Sequence, residues 1–467
     1  MYLAERIVLT QGIHEAEFAF AQQNAHLAKL LYNAALFRMR QTFTGWDKAA
    51  RTDHEQEVFE ELTMLRAAYP GLGIRRVLSY RAMEKLMRVT QNPDFFAGLP
   101  MQTAQAVVKA AVNDFTNWLK ALKAYKKEPT KFLGKPQMPH YCKKEQKSFI
   151  VTNQDAVLYP VYKKAEDGRL PEAEYTGMEL KLPGIRHRLY LPHIPEDAML
   201  REVTVCTYYR KYVLTLVLET GDLAVKEDRP CMAGIDLGVD NIAAIVTTDH
   251  ASRVYKGGAV LSANRLYQKE RAEAVRTLTK GRKNCHASSR HLDFLSRKHD
   301  AFMRDCMHKI SADIIRFCVE HQVGTVVIGT NVLWKQGAGM GDANNQNFVS
   351  VPHSQLRRMI GYKAQAAGIR VVLQEESYTS KADVTAKDEL PVYGQEGAEK
   401  KRFSGRRISR GRYRCGNGLT VNADCNGAAN ILRKAFPEAW EKTEDFSFLA
   451  YPESSGYRMW NRKRAAV

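Results

Sequence analysis

Three acidic residues in the second half of the chain have the side-chain chemistry of a divalent-metal site. Asp236 lies in Gly-Ile-Asp-Leu-Gly, Glu376 in Glu-Glu-Ser-Tyr-Thr-Ser-Lys and Asp424 in Asn-Ala-Asp-Cys-Asn-Gly-Ala. Each follows an apolar, strand-like run or begins a helix-like segment. Hard cations such as Mg²⁺ prefer carboxylate oxygens, and two of them about 3.5–4 Å apart stabilise both the attacking and the leaving oxygen of a phosphodiester. Convergence of the three acids would make this chain a metal-dependent nuclease.

The elements around these acids predict an α/β sheet. Three consecutive strands, the first ending near Asp236, precede a long basic helical region over 262–321. A strand at 325–329, a helix, a strand at 370–375 and a final helix opened near Asp424 follow. Three strands in succession, then alternating helix and strand, is the order of the ribonuclease-H architecture.

The position of the second acid is the open question in this pattern. In such a sheet the ligand from the fourth strand would stand at Gly329, which has no side chain to bind a metal. The fifth strand ends in Glu375 and Glu376, and neighbouring strands are about 4.8 Å apart, so a long side chain from there can still reach the site. Side chains alternate between the two faces of a sheet, and therefore only one of the two glutamates can serve.

The first half of the chain has a different character. Segment 15–125 predicts a helical module, with amphipathic helices at about 15–46 and 103–125. A basic, proline-broken tract over 126–147 is interleaved with aromatic residues. Strand-like runs over 148–220, with a hairpin turn at Arg210-Lys211, predict a small β-barrel. The short strand at the N-terminus is a candidate member of that barrel.

Composition favours a nucleic-acid partner. The 467 residues include 70 Lys and Arg against 51 Asp and Glu, a net charge of +19, and such an excess points to a polyanion. No apolar run approaches the roughly 18–20 residues of a membrane span. The first residues lack the pattern of a signal peptide, so a cytoplasmic protein is expected. The eight cysteines form no CxxC pair, which predicts no structural zinc site.

Residues 231–435 resemble the C-terminal nuclease half of the TnpB (OrfB) proteins of insertion sequences, whose relatives include the miniature type V CRISPR effectors. The stretches that carry the resemblance keep the family's order: Gly234-Ile-Asp-Leu-Gly238, Val327-Ile-Gly-Thr-Asn331, Trp334-Lys-Gln336, Asn345-Gln-Asn-Phe348, Ser377-Tyr-Thr-Ser-Lys381, Phe403-Ser-Gly405 and Val421-Asn-Ala-Asp-Cys-Asn-Gly-Ala428. Over 101–230 the resemblance is weaker, and 15–100 holds nothing diagnostic.

The resemblance implies a RuvC-type nuclease that an RNA guides to DNA next to a short flanking motif. Asp236 and Asp424 match the family's first and third acids. The glutamate of the second motif is Gly329 here, and the family's zinc-binding cysteine pairs between 377 and 420 are absent. Both departures fit a subgroup whose glutamate has moved to just ahead of the Tyr-Thr-Ser segment. In that subgroup Glu376 is the ligand, with Glu375 as the spare.

The expected fold class is α/β plus β, in four parts. A RuvC-type, ribonuclease-H-like nuclease domain spans 231–435, and an OB-like wedge β-barrel spans 1–14 and 126–230. A helical recognition module spans 15–125, and a C-terminal tail spans 436–467. The barrel and the helical module together are expected to read the flanking motif.

The expected function is that of an RNA-guided DNA endonuclease, a monomer in a ribonucleoprotein with guide RNA and target double-stranded DNA. Two Mg²⁺ ions, or Mn²⁺, are the expected cofactors, with Asp236 bridging both ions and Glu376 and Asp424 holding one each. Backbone contacts to nucleic acid are predicted at Lys131, Lys135, Lys335, Arg406, Arg407, Arg410 and Arg412. Two alternatives stay open: a catalytically silent RNA-guided repressor, and an unguided transposase or resolvase-type nuclease.

Overall fold

Two units make up the chain in its computed structural model, Met1–Asp222 and Leu223–Val467. The structure describes residues 2–163, 174–221, 229–280, 287–330, 351–392 and 401–457. Within these ranges no helix combines the length and the apolar character needed to cross a bilayer.

Four helices of the first unit follow the apolar spacing of the sequence: α1 (Glu15–Gly45), α2 (Asp53–Ala68), α3 (Tyr80–Val89) and α4 (Met101–Lys127). The two predicted amphipathic helices are confirmed as α1 and α4. Thr52 begins α2 with a capping box to Glu55, which satisfies backbone N–H groups that a helix start leaves free. Phe43 of α1 packs edge-on against Phe115 and Trp118 of α4.

The strands of the first unit form two antiparallel sheets. The larger sheet has the order β1 (Tyr2–Leu9), β7 (Lys211–Glu219), β6 (Met199–Tyr208), β2 (Phe149–Thr152), and the smaller has β3 (Val157–Lys163), β4 (Glu174–Lys181), β5 (Leu189–Leu191). The N-terminal strand joins through β7, as predicted. Residues of both sheets and of the four helices share one apolar cluster, so the expected barrel takes the form of two sheets packed with the helical module.

The β6–β7 turn lies one residue earlier than predicted. Tyr208 pairs with Lys211, so Tyr209 and Arg210 form the turn, with φ of 44° and 59°. A two-residue hairpin with both φ values positive matches the right-handed twist of the strands, and Asn-Gly is its usual signal. Tyr-Arg lacks that signal, which is why the sequence misplaced the turn.

The second unit is built on a six-stranded sheet. Its strands are β8 (Cys231–Asp236), β9 (Asn241–Thr247), β10 (Ser252–Lys256), β11 (Val323–Thr330), β12 (Arg370–Glu375) and β16 (Glu453–Ser455). Their order across the sheet is β12, β11, β8, β9, β10, β16. The first strand is therefore central, with the fourth and fifth on one side and the second and third on the other. This order confirms the ribonuclease-H-like fold.

Helices cover both faces of this sheet. The helices are α5 (Gly258–Thr279), α6 (Arg290–Glu320), α7 (His353–Ala366) and α8 (Ala423–Ala435). Val326 and Ile328 of β11 lie in one apolar cluster with α6 and α7, whereas Val327 lies in another with α8. Alternation along the strand thus separates α8 from the other helices. Between β12 and α8 the chain forms a three-stranded sheet of β13 (Arg406–Ser409), β14 (Arg412–Arg414) and β15 (Thr420–Asn422).

The C-terminal segment packs onto the second unit. Trp440 is 1% exposed, and its indole N–H donates a hydrogen bond to the carbonyl oxygen of Ala429 in α8 at 3.0 Å. β16 then pairs in parallel with β10. Residues 436–457 therefore extend the core and the edge of the sheet.

Candidate active site

Asp236 is the last residue of the central strand β8, between β9 and β11. Helix α8 crosses directly over this strand because two glycines leave room for it. A Cβ atom at Gly427 would lie 2.8 Å from Oδ2 of Asp236, and one at Gly234 would collide with the carbonyl oxygen of Ala428. The carboxyl group of Asp236 therefore lies next to the start of α8.

Asp424 stands in the first turn of α8, and its neighbours hold it there. The Asn422 side chain caps the helix by accepting hydrogen bonds from the backbone N–H groups of Asp424 and Cys425. Nδ2 of Asn241 donates to Oδ2 of Asp424 at 2.6 Å, and Nη2 of Arg407 lies 3.9 Å from Oδ1. One carboxylate oxygen is thus oriented by an amide, while the other faces an arginine.

Glu376 follows β12 directly, and its side chain lies across the end of β11. In the parallel ladder of these strands, Gly329 pairs with Gln374. A Cβ atom at Gly329 would lie 2.7 Å from Oε2 of Glu376 and 2.7 Å from Cδ1 of Ile431. Glu376 and any side chain at 329 would therefore compete for the same space.

The charges of Glu376 and Asp424 both act on Asp236. Burial, followed by these negative charges, raises the pKa of Asp236 to about 8. Burial, followed by the charge of Glu375, raises the pKa of Glu376 to about 7. Both shifts have the direction expected when burial and like charges disfavour the ionised form. The structure thus places Asp236 within electrostatic range of both other predicted acids.

Glu375 is held in a different way from its neighbour. Its Oε2 accepts a hydrogen bond from Nζ of Lys434 at 2.7 Å, and its Oε1 accepts one from the backbone N–H of Ser377 at 2.6 Å. Partial burial raises the pKa of Glu375, but these hydrogen bonds outweigh it and leave the pKa below its ordinary value. Both oxygens of Glu375 are therefore engaged within the protein.

The donor set suits a hard divalent cation. Asp236, Glu376 and Asp424 supply carboxylate oxygens, which Mg²⁺ and Mn²⁺ favour. Across the described ranges, no three Asp, Glu, His or Cys side chains come together closely enough to hold an ion. Like-charged carboxylates repel, and a cation between them would offset that repulsion. The oxygen chemistry of Asp236, Glu376 and Asp424 suits such an ion, although the structure does not gather the three side chains around one point.

Two aspartates connect the described stretches 377–392 and 401–420, the part of the chain where the family places its zinc-binding cysteines. Asp383 is fully buried and accepts a hydrogen bond from the backbone N–H of Gly416 at 2.6 Å. Asp388 accepts hydrogen bonds from the backbone N–H groups of Asp383 and Ser404, both at 2.9 Å. The two carboxylates thus join parts of the chain that are distant in sequence, as a structural metal ion does in other proteins.

Four of the predicted nucleic-acid-binding residues lie on the hairpin of β13 and β14, and all four are exposed: Arg406, Arg407, Arg410 and Arg412. Two of them lie next to acidic side chains of this unit, one of which is a site acid. Arg407 approaches Asp424, as described, and Arg410 forms an ion pair with Asp240 in the loop between β8 and β9.

The three predicted lysines have different outcomes. Lys131 and Lys135 are exposed residues of the first unit, beyond the end of α4. Nε1 of Trp118 donates to the carbonyl oxygen of Pro136 at 3.2 Å, so this basic tract is anchored to α4. Lys335 lies outside the described residues.

Sequence reasoning missed several polar residues at the site. Asn241, Arg357 and Lys434 lie on three different elements, and none stands in a motif that marks it. Nη1 of Arg357 donates to Oγ1 of Thr330 at 2.5 Å, at the end of β11, and its charge opposes the rise in the pKa of Glu376. The sequence shows each of them only as a polar residue at the end of a strand or on a helix. Such residues are too common for this pattern to identify a functional site.

Parts of the chain are similar to two protein families and to a curated protein. A family model described as a probable transposase, OrfB of IS605, matches residues 215–335, and the model of the Cas12f1-like TNB domain matches residues 353–431. The TnpB-like protein ORF457 of Acidianus two-tailed virus is 27% identical over 324 residues, 64% of this chain. The chain spans 64% of that relative's length.

Two solved structures align with most of the chain at low sequence identity. One, of a Cas12f1–sgRNA–target DNA complex, aligns with a TM-score of 0.48 and 15% identity, over 88% of this chain and 82% of that chain. Another, of a CRISPR–Cas12f ternary complex, aligns with a TM-score of 0.32 and 16% identity, over 88% and 81% of the two chains.

Proposed function

The chain belongs to the family of TnpB proteins and miniature type V CRISPR effectors, and on that premise we propose that it is an RNA-guided DNA endonuclease. It cleaves target DNA next to a short flanking motif by metal-dependent hydrolysis of a phosphodiester. Guide RNA and double-stranded DNA are its partners, and the net charge of +19 supports a polyanionic ligand. In this proposal the protein works in the cytoplasm as a monomer within a ribonucleoprotein.

The relation between Glu376 and Gly329 carries this proposal. The family's second acid is missing from β11, and without a substitute the site would have two carboxylates. Glu376 reaches back over the position of Gly329, and its charge acts on Asp236. This supports an intact set of three acids and favours an active nuclease over a silent binder.

The chain's own residues have distinct tasks in this reaction. Two bound Mg²⁺ ions would supply an activated water and stabilise the charge that develops on the phosphate. Asp236 would hold both ions, and Glu376 and Asp424 would each hold one. Asn241 orients the Asp424 carboxylate through its hydrogen bond, as residues behind metal ligands commonly do.

Target recognition is divided between RNA and protein in this proposal. Base pairing between guide RNA and DNA supplies the sequence specificity, while the protein holds the duplex through its shape and backbone charge. The proposed contacts to phosphates are four arginines of the β13–β14 hairpin and three lysines: Arg406, Arg407, Arg410, Arg412, Lys131, Lys135 and Lys335. The helical module and the two-sheet β domain of the first unit read the flanking motif.

The test begins with the protein purified from cells that also carry the DNA flanking its gene. A guided protein brings a defined RNA with it, which sequencing of the bound RNA identifies. The loaded protein is then incubated with Mg²⁺ and a plasmid library that carries the matching target beside a randomised motif. We expect cleavage of the subset of plasmids that share one flanking motif.

Variants at the acids separate the proposal from its rivals. Asp236→Ala, Glu376→Ala and Glu375→Ala/Glu376→Ala are expected to bind RNA and target but not to cleave, whereas Glu375→Ala retains part of the activity. Cleavage that persists in the double variant would mean that other acids serve. Binding without cleavage by the wild-type protein would establish a guided repressor, and cleavage without RNA an unguided nuclease.

A further inference from the structure

Lys434 of α8 accounts for the different orientations of the two consecutive glutamates. Its Nζ donates to Oε2 of Glu375 at 2.7 Å and to the carbonyl oxygens of Ser377 and Pro391, each at 3.0 Å. These three acceptors use all three N–H donors of the ammonium. The side chain is only 7% exposed, and a charge so buried is stable only where it is paired.

Lys434 holds the chain on both sides of Glu376. It binds the carboxylate of the preceding residue, Glu375, and the carbonyl oxygen of the following residue, Ser377. The backbone N–H of Ser377 also donates to Oε1 of Glu375 at 2.6 Å, which closes a tight loop around residue 376. Since Glu375 is taken up by Lys434, the side chain of Glu376 lies over Gly329.

Two more residues of α8 fasten the same segment. Nδ2 of Asn430 donates to the carbonyl oxygens of Thr379 and Ala382 at 3.0 and 2.7 Å, and Nδ2 of Asn426 donates to that of Ala382 at 2.8 Å. Positions 426, 430 and 434 are four residues apart and share one face of the helix. The helix that carries Asp424 thus also sets the position of the segment after β12.

We propose that Lys434, acting through Glu375 and Ser377, is a positioning residue that directs Glu376 towards the cation held by Asp236 and Asp424. This inference rests on the proposed function. An acid inside a strand is directed by the sheet itself, but Glu376 lies beyond the end of β12 and needs a tether from outside. Lys434 is that tether, and it couples the relocated acid to the helix of the third acid.

The test measures metal binding separately from cleavage. Calorimetric titration of the RNA-loaded protein with Mn²⁺ alone gives the affinity, and cleavage at varied Mg²⁺ gives the half-saturating concentration and the rate at saturation. Lys434→Met is expected to weaken Mn²⁺ binding by about 10-fold, the usual effect of removing a residue behind a metal ligand. The half-saturating Mg²⁺ concentration rises by a similar factor, while the rate at saturating Mg²⁺ changes less. Lys434→Arg, which keeps the charge, recovers most of the affinity.

Two further variants keep the test decisive. Lys442→Met alters an exposed lysine of the same unit and is expected to match the wild type. Lys434→Met/Glu375→Leu removes both charges of the pair, so it relieves any instability caused by an unpaired buried carboxylate. This double variant is expected to fold like the wild type and still to bind Mn²⁺ weakly.

The outcomes distinguish this inference from the function on which it rests. If the wild type cleaves and Lys434→Met, or the folded double variant, binds Mn²⁺ as tightly as the wild type, the positioning role is wrong and the nuclease assignment stands. If the wild type does not cleave and Glu376→Gln binds Mn²⁺ as tightly as the wild type, the proposed function fails and the inference fails with it.

Discussion

Gly329 and Glu376 occupy complementary positions at the carboxyl ends of β11 and β12: a Cβ atom on the glycine would lie 2.7 Å from Oε2 of the glutamate. The glycine stands in register with Gln374, two residues before the glutamate. The long side chain of Glu376, which follows β12, therefore occupies the space that Gly329 of β11 leaves open. The absence of a side chain at position 329 is therefore what allows the carboxylate of Glu376 to lie there.

Exchanging these two positions should preserve function in part. Gly329→Ala places a methyl group against Glu376 and is expected to lower the rate of cleavage by about 10-fold or more, as displacement of a metal ligand does. Gly329→Glu/Glu376→Ala returns the acid to β11 and is expected to cleave measurably, whereas Glu376→Ala alone does not. Rates of plasmid cleavage at saturating Mg²⁺ provide the measurement.

Gly361→Ala is the matched control for this exchange. Gly361 lies in α7, and a Cβ atom there would meet nothing within 4 Å, so the wild-type rate is expected. Full activity of Gly329→Ala would show that the two residues do not share the space, and an inactive exchange variant that still binds target would show that β11 cannot present the acid.

Stability of the metal-free protein should fall as the pH rises. The folded-state pKa is raised from 3.8 to about 8 at Asp236 and from 4.5 to about 7 at Glu376. Between about pH 4 and pH 8 the folded state thus holds protons that the unfolded chain has released, and the free energy of unfolding decreases with pH. Asp236→Asn cannot titrate and should flatten this dependence.

Differential scanning fluorimetry of both proteins in a chelator provides the measurement. The melting temperature of the wild type is expected to fall by roughly 5 °C more than that of Asp236→Asn across this window. Added Mg²⁺ should stabilise the wild type more at high pH, because protons and metal compete for the same oxygens. Parallel curves for the two proteins would contradict the raised pKa of Asp236.

The buried Asp383 should contribute strongly to stability. Asp383→Ala leaves the backbone N–H of Gly416 without its acceptor, and we expect a loss of about 2–3 kcal/mol in the free energy of unfolding. Glu389→Ala is the control, because the Glu389 side chain is 71% exposed in its ion pair with Lys401, and such pairs contribute at most about 1 kcal/mol. Urea denaturation measures both variants. Equal losses of unfolding free energy in the two variants would mean that the hydrogen bonds of Asp383 do not stabilise this region.

The arginine hairpin should determine the salt dependence of DNA binding. Arg407→Gln/Arg410→Gln removes the two hairpin cations that lie next to Asp424 and Asp240, and each lost phosphate contact reduces the slope of log affinity against log salt by about 0.9. We expect a reduction of about 2 for RNA-loaded protein on its matched target, by fluorescence anisotropy at several salt concentrations. Arg370→Gln, at an exposed position at the start of β12, should leave the slope unchanged. An unchanged slope in the double variant would show that Arg407 and Arg410 do not contact the DNA phosphates.

Local patterns were sufficient to predict much of the fold, and together with the family resemblance they led to Asp236, Glu376 and Asp424 as the proposed acids. Apolar periodicity predicts α1, α4 and the strands of the central sheet, and their succession along the chain predicts the order of the sheet. Asp236 and Asp424 were identified by the motifs around them, at a strand end and in the first turn of a helix. The turn at Tyr209 and Arg210 was predicted one residue too late because these residues lack the usual turn signal.

What the amino-acid sequence alone determined is therefore which elements form and which carboxylates they carry. Only the tertiary structure decided how the acids are held: Asn241 meets Asp424 across 183 positions of sequence, and Lys434 meets Glu375 across 59. The physical reason is that periodicity reports which face of an element is buried, whereas a hydrogen bond between distant elements depends on the packing of whole strands and helices. The different surroundings of Glu375 and Glu376 also depend on this tertiary packing, because two neighbouring identical residues differ only in what the fold places beside them.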